Sequence, residues 1–452
     1  MSLTAVILAA GKGTRMKSNL PKVLHEVNGK PMLAHVISEV KQAGATVIIL
    51  VIGHGSEKVR ERFGEEFRYV IQQAQLGTGH AVMIASEELK KHTGDVLLVC
   101  GDTPLLTSAT LQALYTKHKV QDASCTILTA NLEDPYGYGR ILRTDKGEIL
   151  KIVEEKDATD LERKISEINT GSYCFKCSDL LDAIKEITPN NTQGEYYLTD
   201  VIVALNNSKK IVTAYITPDF EETLGINSKA QLAEAARILR ARKIQELMLA
   251  GVTVIDPNNT YIEDEVEIGI DTIIYPTCFI GGKTKIGPEC EIGPGCKITD
   301  SLVGGNCEIQ YSVLKDVKIG NDCIIGPYAY LRPGTVLADR VKVGDFAEVK
   351  NSFIGEGSKI PHLSYVGDAK LGKGVNIGAG TITCNYDGVN KYQTVVQDGA
   401  FIGSNTNLVA PVTIGANAVT GAGSTITKDV PPGALAVERA EQKIRKGYFK
   451  GK

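Results

Sequence analysis

No stretch of this 452-residue sequence is apolar for long enough to span a bilayer, so no membrane insertion is expected. No basic segment and cleavage site precede the first apolar run, which ends at Gly11; no signal peptide is expected, and a cytoplasmic location follows by default. Charge of one sign is also missing. A formal net charge of -3 creates no overall field for nucleic acid or an acidic membrane, although local Lys and Arg can still bind phosphates. The ten cysteines are scattered over a long chain and do not form a disulfide framework. Cys174 and Cys177 make the one CxxC, in the strand-like run 173–177 and without a partner pair. Ordinary strand residues are the expectation there, with metal or redox use as the alternative.

What the sequence has is two different periodicities. Up to residue 227, strand-like and helix-like segments alternate. Ala5–Ala9, Thr46–Ile52, Asp95–Cys100 and Ser124–Ala130 read as buried strands, and Lys30–Ala43 and Gly79–Lys90 as helices. This order predicts an α/β domain, Rossmann-like, with a mostly parallel sheet and helices on both faces. Ligands bind such sheets beyond the carboxyl ends of the strands. Residues 228–249 contain neither Gly nor Pro, Asn227 or Ser228 can cap them, and Gly251 follows. A helix linking two bodies is expected over 228–251.

A second domain with a C-terminal tail is expected over 252–452. From about residue 252 aliphatic residues recur every six positions: Ile268, Ile274, Ile280, Ile286, Ile292, Ile298, and after a one-residue slip Val303 and Ile309, with Ile426 closing the series. A period of six fits neither a helix nor strand alternation. It is the hexapeptide repeat of a parallel β-helix, with the aliphatic residue inward and about 18 residues per triangular coil, giving roughly ten coils. Cys290 and Cys296, six apart, belong to this lattice. The segment from Gly380 to Gly399 breaks the rhythm and reads as a loop thrown out of the coil, where function often resides.

Directly after the first strand comes Leu8-Ala9-Ala10-Gly11-Lys12-Gly13-Thr14-Arg15-Met16, followed by Pro21-Lys22. It is neither GxGxxG nor GxxxxGK(S/T). Its glycines permit close backbone approach, its free N–H groups can hold phosphate oxygens, and Arg15 and Lys22 add positive charge. Asp102 ends the third strand, well placed to hold Mg²⁺ against substrate phosphates, or else to make an Asx turn before Pro104. Gln72, Gln75, Gly77 and Thr78 lie in a loop-like run where Gln side chains can read a base edge.

These residues resemble a sugar-phosphate nucleotidyltransferase, and the later repeats with the block around His362 narrow the resemblance to the bifunctional bacterial GlmU family. It covers essentially the whole chain. The resemblance implies a left-handed β-helix, and two activities: acetylation of glucosamine 1-phosphate by acetyl-CoA, then uridyl transfer from UTP to N-acetylglucosamine 1-phosphate with release of pyrophosphate. It implies that Leu8 and Ala9 bind the nucleotide, that Gly11, Lys12, Gly13, Arg15 and Lys22 surround the UTP phosphates and that Gln72, Gly77 and Thr78 hold the uracil. Asp102 and Asn227 are implied as Mg²⁺ ligands, and Gly139, Glu154, Asn169 and Thr199 as the sugar side of the first site.

In the second half one dense polar block, Lys359 to Asp368, interrupts the repeats and contains His362, which can act as a base near neutral pH. Arg332 and Lys350, 18 apart, can stack on one face one coil apart. The resemblance assigns His362 as the base that deprotonates the amine, Asn385 to the oxyanion and Glu348 to the orientation of His362. It places Arg332, Lys350, Tyr365, Asn376 and Lys391 on the sugar phosphate, and Ala379, Tyr386, Ser404, Ala422 and Arg439 on acetyl-CoA. It also implies a homotrimer with CoA sites between subunits. Three positions depart from the family pattern: Asp345 stands where Asn is more frequent, Pro361 where a small or polar residue is usual, and Glu441 where a basic residue is common. A nucleotidyltransferase with a purely structural β-helix, and a non-enzymatic scaffold, are the competing readings. The His362-to-Lys391 block argues against the first, and the Gly11-to-Lys22 loop with Asp102 against the second.

Overall fold

A computed structural model describes residues 2–449, and the chain divides into two compact units, Met1–Leu239 and Arg240–Lys452. In the first unit the aliphatic runs form one nine-stranded sheet. Its main path runs Val212–Ile216, Cys125–Asn131, Glu167–Lys176, Gly94–Cys100, Ser2–Ala9, Ala45–Ile52, Arg68–Ile71. Neighbours are parallel except at Glu167–Lys176, which is antiparallel to both strands beside it. An antiparallel pair, Gly139–Arg143 and Ile149–Val153, hangs from that reversed strand.

The strands are apolar on both faces because both faces are covered. Val6, Ile49, Val51 and Leu98 pack with Ala81, Val82 and Ala85 of the helix Thr78–Leu89. Ala5, Ile7, Leu50 and Val99 pack with Leu33, Val36 and Val40 of Met32–Gln42 and with Leu111 and Leu114 of Ser108–Val120. Cys174 lies in this second core, whereas Cys177 is not a strand residue: it opens the short helix Cys177–Ala183. Burial pushes both thiols above the ordinary range.

The helix expected over 228–251 spans Lys229–Leu249. Ser228 caps it, its hydroxyl accepting the Gln231 N–H at 3.2 Å. A Schellman motif ends it: Gly251 N–H donates to Met248 O and Val252 N–H to Leu247 O. The two units part within this helix. Ala235 and Ile238 pack with Val27, Met32, Leu105 and Ile226 in the first unit, while Ile244 and Leu247 belong to the core of the second.

The second unit is the left-handed parallel β-helix of hexapeptide repeats, with three parallel sheets of 11, 10 and 9 short strands. Ile274, Ile292, Ile309, Ile325, Val343 and Ile360 succeed one another in one sheet; Ile280, Ile298, Leu314, Leu331, Val349 and Val366 in the next. All are buried in one continuous core, together with Cys278, Cys290, Cys296, Cys307 and Cys323. The excursion is shorter than Gly380 to Gly399. Ile382–Cys384 and Thr394–Val396 are strands of the coil, and only residues 385–393 leave it. That insertion delays the next rung, so Ala369 pairs with Thr394.

Candidate active sites

The first site assembles at the carboxyl ends of the strands Ser2–Ala9 and Gly94–Cys100. Gly101 N–H donates to Leu8 O and Ile226 N–H to Asp102 O, both at 2.9 Å, which ties the segment before Asn227 to the loop after the second strand. As a result Lys22 Nζ meets Asn227 Oδ1 at 2.6 Å and the Asp102 carboxylate in an ion pair, and Arg15 donates to the same Asn227 oxygen at 2.7 Å. Two protein oxygens therefore converge on one cationic point. A hard divalent cation that completes its shell with phosphates and water fits such a pair.

Beside this cluster lies a cavity of about 330 Å³ lined by Leu8, Gly11, Gln72, Gly77, Thr78 and Asp102, with Ala10, Gln75, Cys100 and Glu195 among its other walls. The loop that carries Gln72, Gln75 and Gly77 is pinned from several directions. Gln75 Nε2 donates to Ala10 O, Gln72 Nε2 to Gly77 O at 3.2 Å, and Tyr196 N–H to Leu76 O at 2.8 Å. A Cβ on Gly11 would meet nothing, so its glycine answers no packing need and leaves the backbone open to a ligand. Gly13 differs: it has φ +61°, and a Cβ there would strike the Lys22 side chain. Ala9 is not a wall of this cavity; it points to the opposite face and packs in the second core. Lys12 is exposed on the loop outside the cavity lining. Cys100 is a wall that sequence reasoning missed; burial and the charge of Asp102 hold its thiol protonated, with a pKa pushed up to about 12.

The four residues expected on the sugar side come together. Thr199 Oγ1 donates to Glu154 Oε1 at 3.1 Å, and a Cβ on Gly139 would lie 3.5 Å from Glu154 Oε2 and 3.6 Å from Asn169 Cβ. Burial raises the Glu154 carboxyl above its usual range, against the lowering effect of the Thr199 hydroxyl. The Tyr138 phenol is raised by burial and by the charge of Asp102.

In the second unit the geometry corrects one assignment. His362 is not oriented by Glu348. Its Nδ1 lies 2.9 Å from Asp345 Oδ1, directly beneath it in register, while Glu348 accepts from Arg332 at 2.7 Å. Arg332 and Lys350 do stack on adjacent coils, following the paired residues Leu331 and Val349. Tyr365 stands one coil further on, paired with Glu348. Lys350 and Lys391 are neighbours, and their mutual repulsion lowers the Lys391 ammonium below its ordinary range. Two cations held side by side suit a phosphate. Asp368, which nothing in the sequence singled out, gathers this cluster: its carboxylate accepts from Asn385 Nδ2 and from Asn351 Nδ2 and lies 3.9 Å from Lys350 Nζ. Asn376 sits in a different sheet, paired with Lys359, on the His362 side of the corner.

Four of the residues expected to hold acetyl-CoA share one edge. Successive corners are joined by bonds from Gly380 N–H to His362 O, Asn405 N–H to Ala379 O, Gly423 N–H to Ser404 O, and Arg439 Nη1 to Ala422 O. Small residues thus line a path from His362 to Arg439 that climbs four coils, roughly 19 Å at about 4.8 Å per coil. Tyr386 lies off this edge, in the inserted hairpin, where its hydroxyl donates to Gly388 O at 2.5 Å.

These features define a two-domain transferase, a nucleotidyltransferase sheet followed by a hexapeptide acyltransferase. Residues 5–197 match the MobA-like NTP transferase domain, 258–346 the GMPPB C-terminal domain, and 393–428 the bacterial transferase hexapeptide repeats. The chain is 58% identical to the bifunctional protein GlmU of Heliobacterium modesticaldum over 99% of this chain and 97% of that one. It is 54% identical to that of Syntrophomonas wolfei (98% and 99% covered) and 53% to that of Carboxydothermus hydrogenoformans (99% and 100%). It belongs to the GlmU family, bifunctional enzymes with uridyltransferase and acetyltransferase activities. Among the described residues no helix is long and apolar enough to cross a membrane.

Proposed function

We propose that the second unit acetylates glucosamine 1-phosphate with acetyl-CoA and that the first then transfers uridylyl from UTP to the N-acetylglucosamine 1-phosphate so formed, in the cytoplasm. The observation that carries the uridylyl transfer is the convergence of Lys22, Arg15, Asp102 and Asn227 at the mouth of the cavity lined by Gln72, Gly77 and Thr78. The sugar 1-phosphate attacks the α-phosphorus in line. Its oxygen is already anionic, so no protein base is needed, and the residues act by positioning and charge neutralisation. Asp102 and Asn227 would hold Mg²⁺, which neutralises phosphate charge when bound. Lys22 and Arg15 hold phosphate oxygens, and Glu154 and Thr199 with Asn169 and the Gly139 backbone hold the sugar.

In the second site His362 takes a proton from the substrate ammonium through Nε2, and the freed amine attacks the thioester carbon; the C–S bond then breaks, the nitrogen gives up its second proton, and the CoA thiolate leaves protonated as the free thiol. Asn385, its amide held by Asp368, faces the developing oxyanion. Arg332, Lys350, Tyr365 and Lys391 bind the phosphate, with Asn376 beside His362. Ala379, Ser404, Ala422 and Arg439 carry the extended thiol ester arm, and Tyr386 closes on it from the hairpin. The protein works as a homotrimer. Tyr311, Tyr328 and Phe346 stack on exposed corners at 5.6 and 5.3 Å, and the next corner is the exposed Leu363 beside His362, a column that suits burial against another copy.

Incubating purified protein with glucosamine 1-phosphate, acetyl-CoA, UTP and Mg²⁺ tests both reactions at once. UDP-N-acetylglucosamine and pyrophosphate are expected. Omitting UTP should stop the sequence at N-acetylglucosamine 1-phosphate, and omitting acetyl-CoA should leave glucosamine 1-phosphate unacetylated. Failure to acetylate, with uridyl transfer intact, would reject the second site. Light scattering at three times 48.6 kDa supports the trimer, and a monomer rejects it.

A further inference from the structure

We propose that Asp345 is a positioning residue for acetyl transfer, forming with His362 a two-residue relay that fixes which imidazole nitrogen carries the proton. The proposal rests on the acetyltransferase reading of this site. Asp345 ends the strand Lys342–Asp345 and His362 ends Lys359–His362; the two are paired in register on adjacent coils. The β-helix repeat therefore places a carboxylate under the imidazole at a fixed rise. Asp345 Oδ1 lies 2.9 Å from His362 Nδ1. An ionised carboxylate only accepts, so Nδ1 must be the donor and Nε2 the free lone pair. Nε2 is then the atom that takes the proton from the substrate amine, leaving an imidazolium beside an anion.

Other charged groups around the pair are already engaged or face elsewhere. Glu348, across the corner, is held by Arg332. Asp368 is held by Asn385 and Asn351 and lies near Lys350. Lys342 and Lys359 begin the same two strands, in register with each other, at the far ends from Asp345 and His362. The coil above presents Ala379 and Gly380, which carry no charge. Asp345 is itself held below the ordinary carboxylate range by a backbone N–H and by His362, so it is an anion throughout the working range. Asparagine at this position keeps the shape and loses two things: the charge, and the certainty of the proton's place, because an amide can turn to donate to Nδ1 as readily as it accepts.

The test uses the full chain with nitrogen-15 histidine, His362→Ala to assign the His362 signals, and the variants Asp345→Asn and Asp345→Ala. In the wild type at high pH, neutral His362 is expected with its proton on Nδ1. In Asp345→Ala the Nε2-protonated form should become the major one. kcat for acetylation should fall on the order of tenfold in both variants, a modest factor because both side chains are partly exposed and screened by solvent. KM for acetyl-CoA should hold, and in Asp345→Asn the low-pH limb of kcat should move to lower pH. Circular dichroism of the same preparations checks that each variant is folded. A wild-type His362 protonated on Nε2, or equal kcat and superimposable pH profiles in all three proteins, would overturn the proposal. The nitrogen signals report the tautomer whatever the protein acetylates, so the relay and the acetyltransferase reading fail separately.

Discussion

Lys22 and Asn227, 205 residues apart in the chain, are joined by a 2.6 Å hydrogen bond from ammonium to amide oxygen. The same ammonium pairs with the Asp102 carboxylate, which brings a negative charge to this cluster. Asp102→Ala should therefore lower uridyl transfer by about 10²–10³-fold or more, by analogy with loss of one preorganised electrostatic group. Acetyl transfer should survive. A coupled pyrophosphate assay and a thiol-release assay on one preparation, with circular dichroism as the folding control, separate the two outcomes; parallel loss in a folded protein refutes the independence of the sites.

His362→Ala should reduce kcat for acetylation by on the order of 10²–10⁴-fold, the usual contribution of a positioned general base. Raising the pH should recover part of the rate, because more of the substrate amine is then deprotonated without help. KM for acetyl-CoA should change little. Thiol release followed across pH in wild type and variant is the measurement, and wild-type acetylation by the variant near neutral pH excludes His362 as the base.

Glu154 has a carboxyl raised above its unfolded value by burial. The folded state thus binds a proton more tightly than the unfolded chain. Its contribution to stability is fully present below the unfolded value of 4.5 and is lost as pH rises through the raised folded value. Glu154→Gln, which cannot ionise, should be more stable than wild type at neutral pH and lose that advantage in acid. Its KM for the sugar phosphate should rise about ten- to hundredfold if the ionised carboxylate binds sugar hydroxyls. Melting curves at two pH values and uridyl-transfer kinetics check both signs.

Gly77→Ala puts a methyl 2.5 Å from the Tyr196 carbonyl oxygen at a residue with φ +109°. Backbone must move on one side or the other, so the variant should lose roughly 1–3 kcal/mol of stability and bind UTP more weakly. Denaturant titration gives the first and KM for UTP the second. An unchanged midpoint would mean that the loop 74–78 yields more easily than its hydrogen bonds indicate.

Arg439→Ala should raise KM for acetyl-CoA several-fold to about tenfold and leave kcat close to wild type, the signature of binding that is equal in ground and transition states. Initial rates at varied acetyl-CoA suffice. A drop in kcat alone would move Arg439 from the ligand path to the chemistry.

Much of this was legible in the chain itself because two physical regularities repeat. A buried parallel sheet demands unbroken aliphatic runs such as Ile48–Ile52, and a triangular coil demands an inward aliphatic every six residues, from Ile274 to Ile426. Gly11, Lys22 and Asp102 were legible because phosphate chemistry restricts residue types beside a strand end. What stayed hidden depends on which side chains meet across the fold. Nothing in residues 167–176 announces an antiparallel strand, since an apolar run reads the same in both directions. Glu348 is nearer to His362 in the sequence than Asp345 is, yet the coil register gives the bond to Asp345. Asp368 and Cys100 became visible only as partners and walls of residues already suspected.

The coils carry one further consequence, in time rather than in space. Each rung is hydrogen-bonded to the rung before and the rung after, and each sheet is a single file of strands. In such an array amide protons should exchange with solvent fastest at the terminal rungs and slowest in the middle. His362 lies on the seventh of the eleven strands in its file, with six before it and four after. Fraying from either end has several rungs to cross before it reaches the base, so the acetylation chemistry sits where the rod is slowest to breathe.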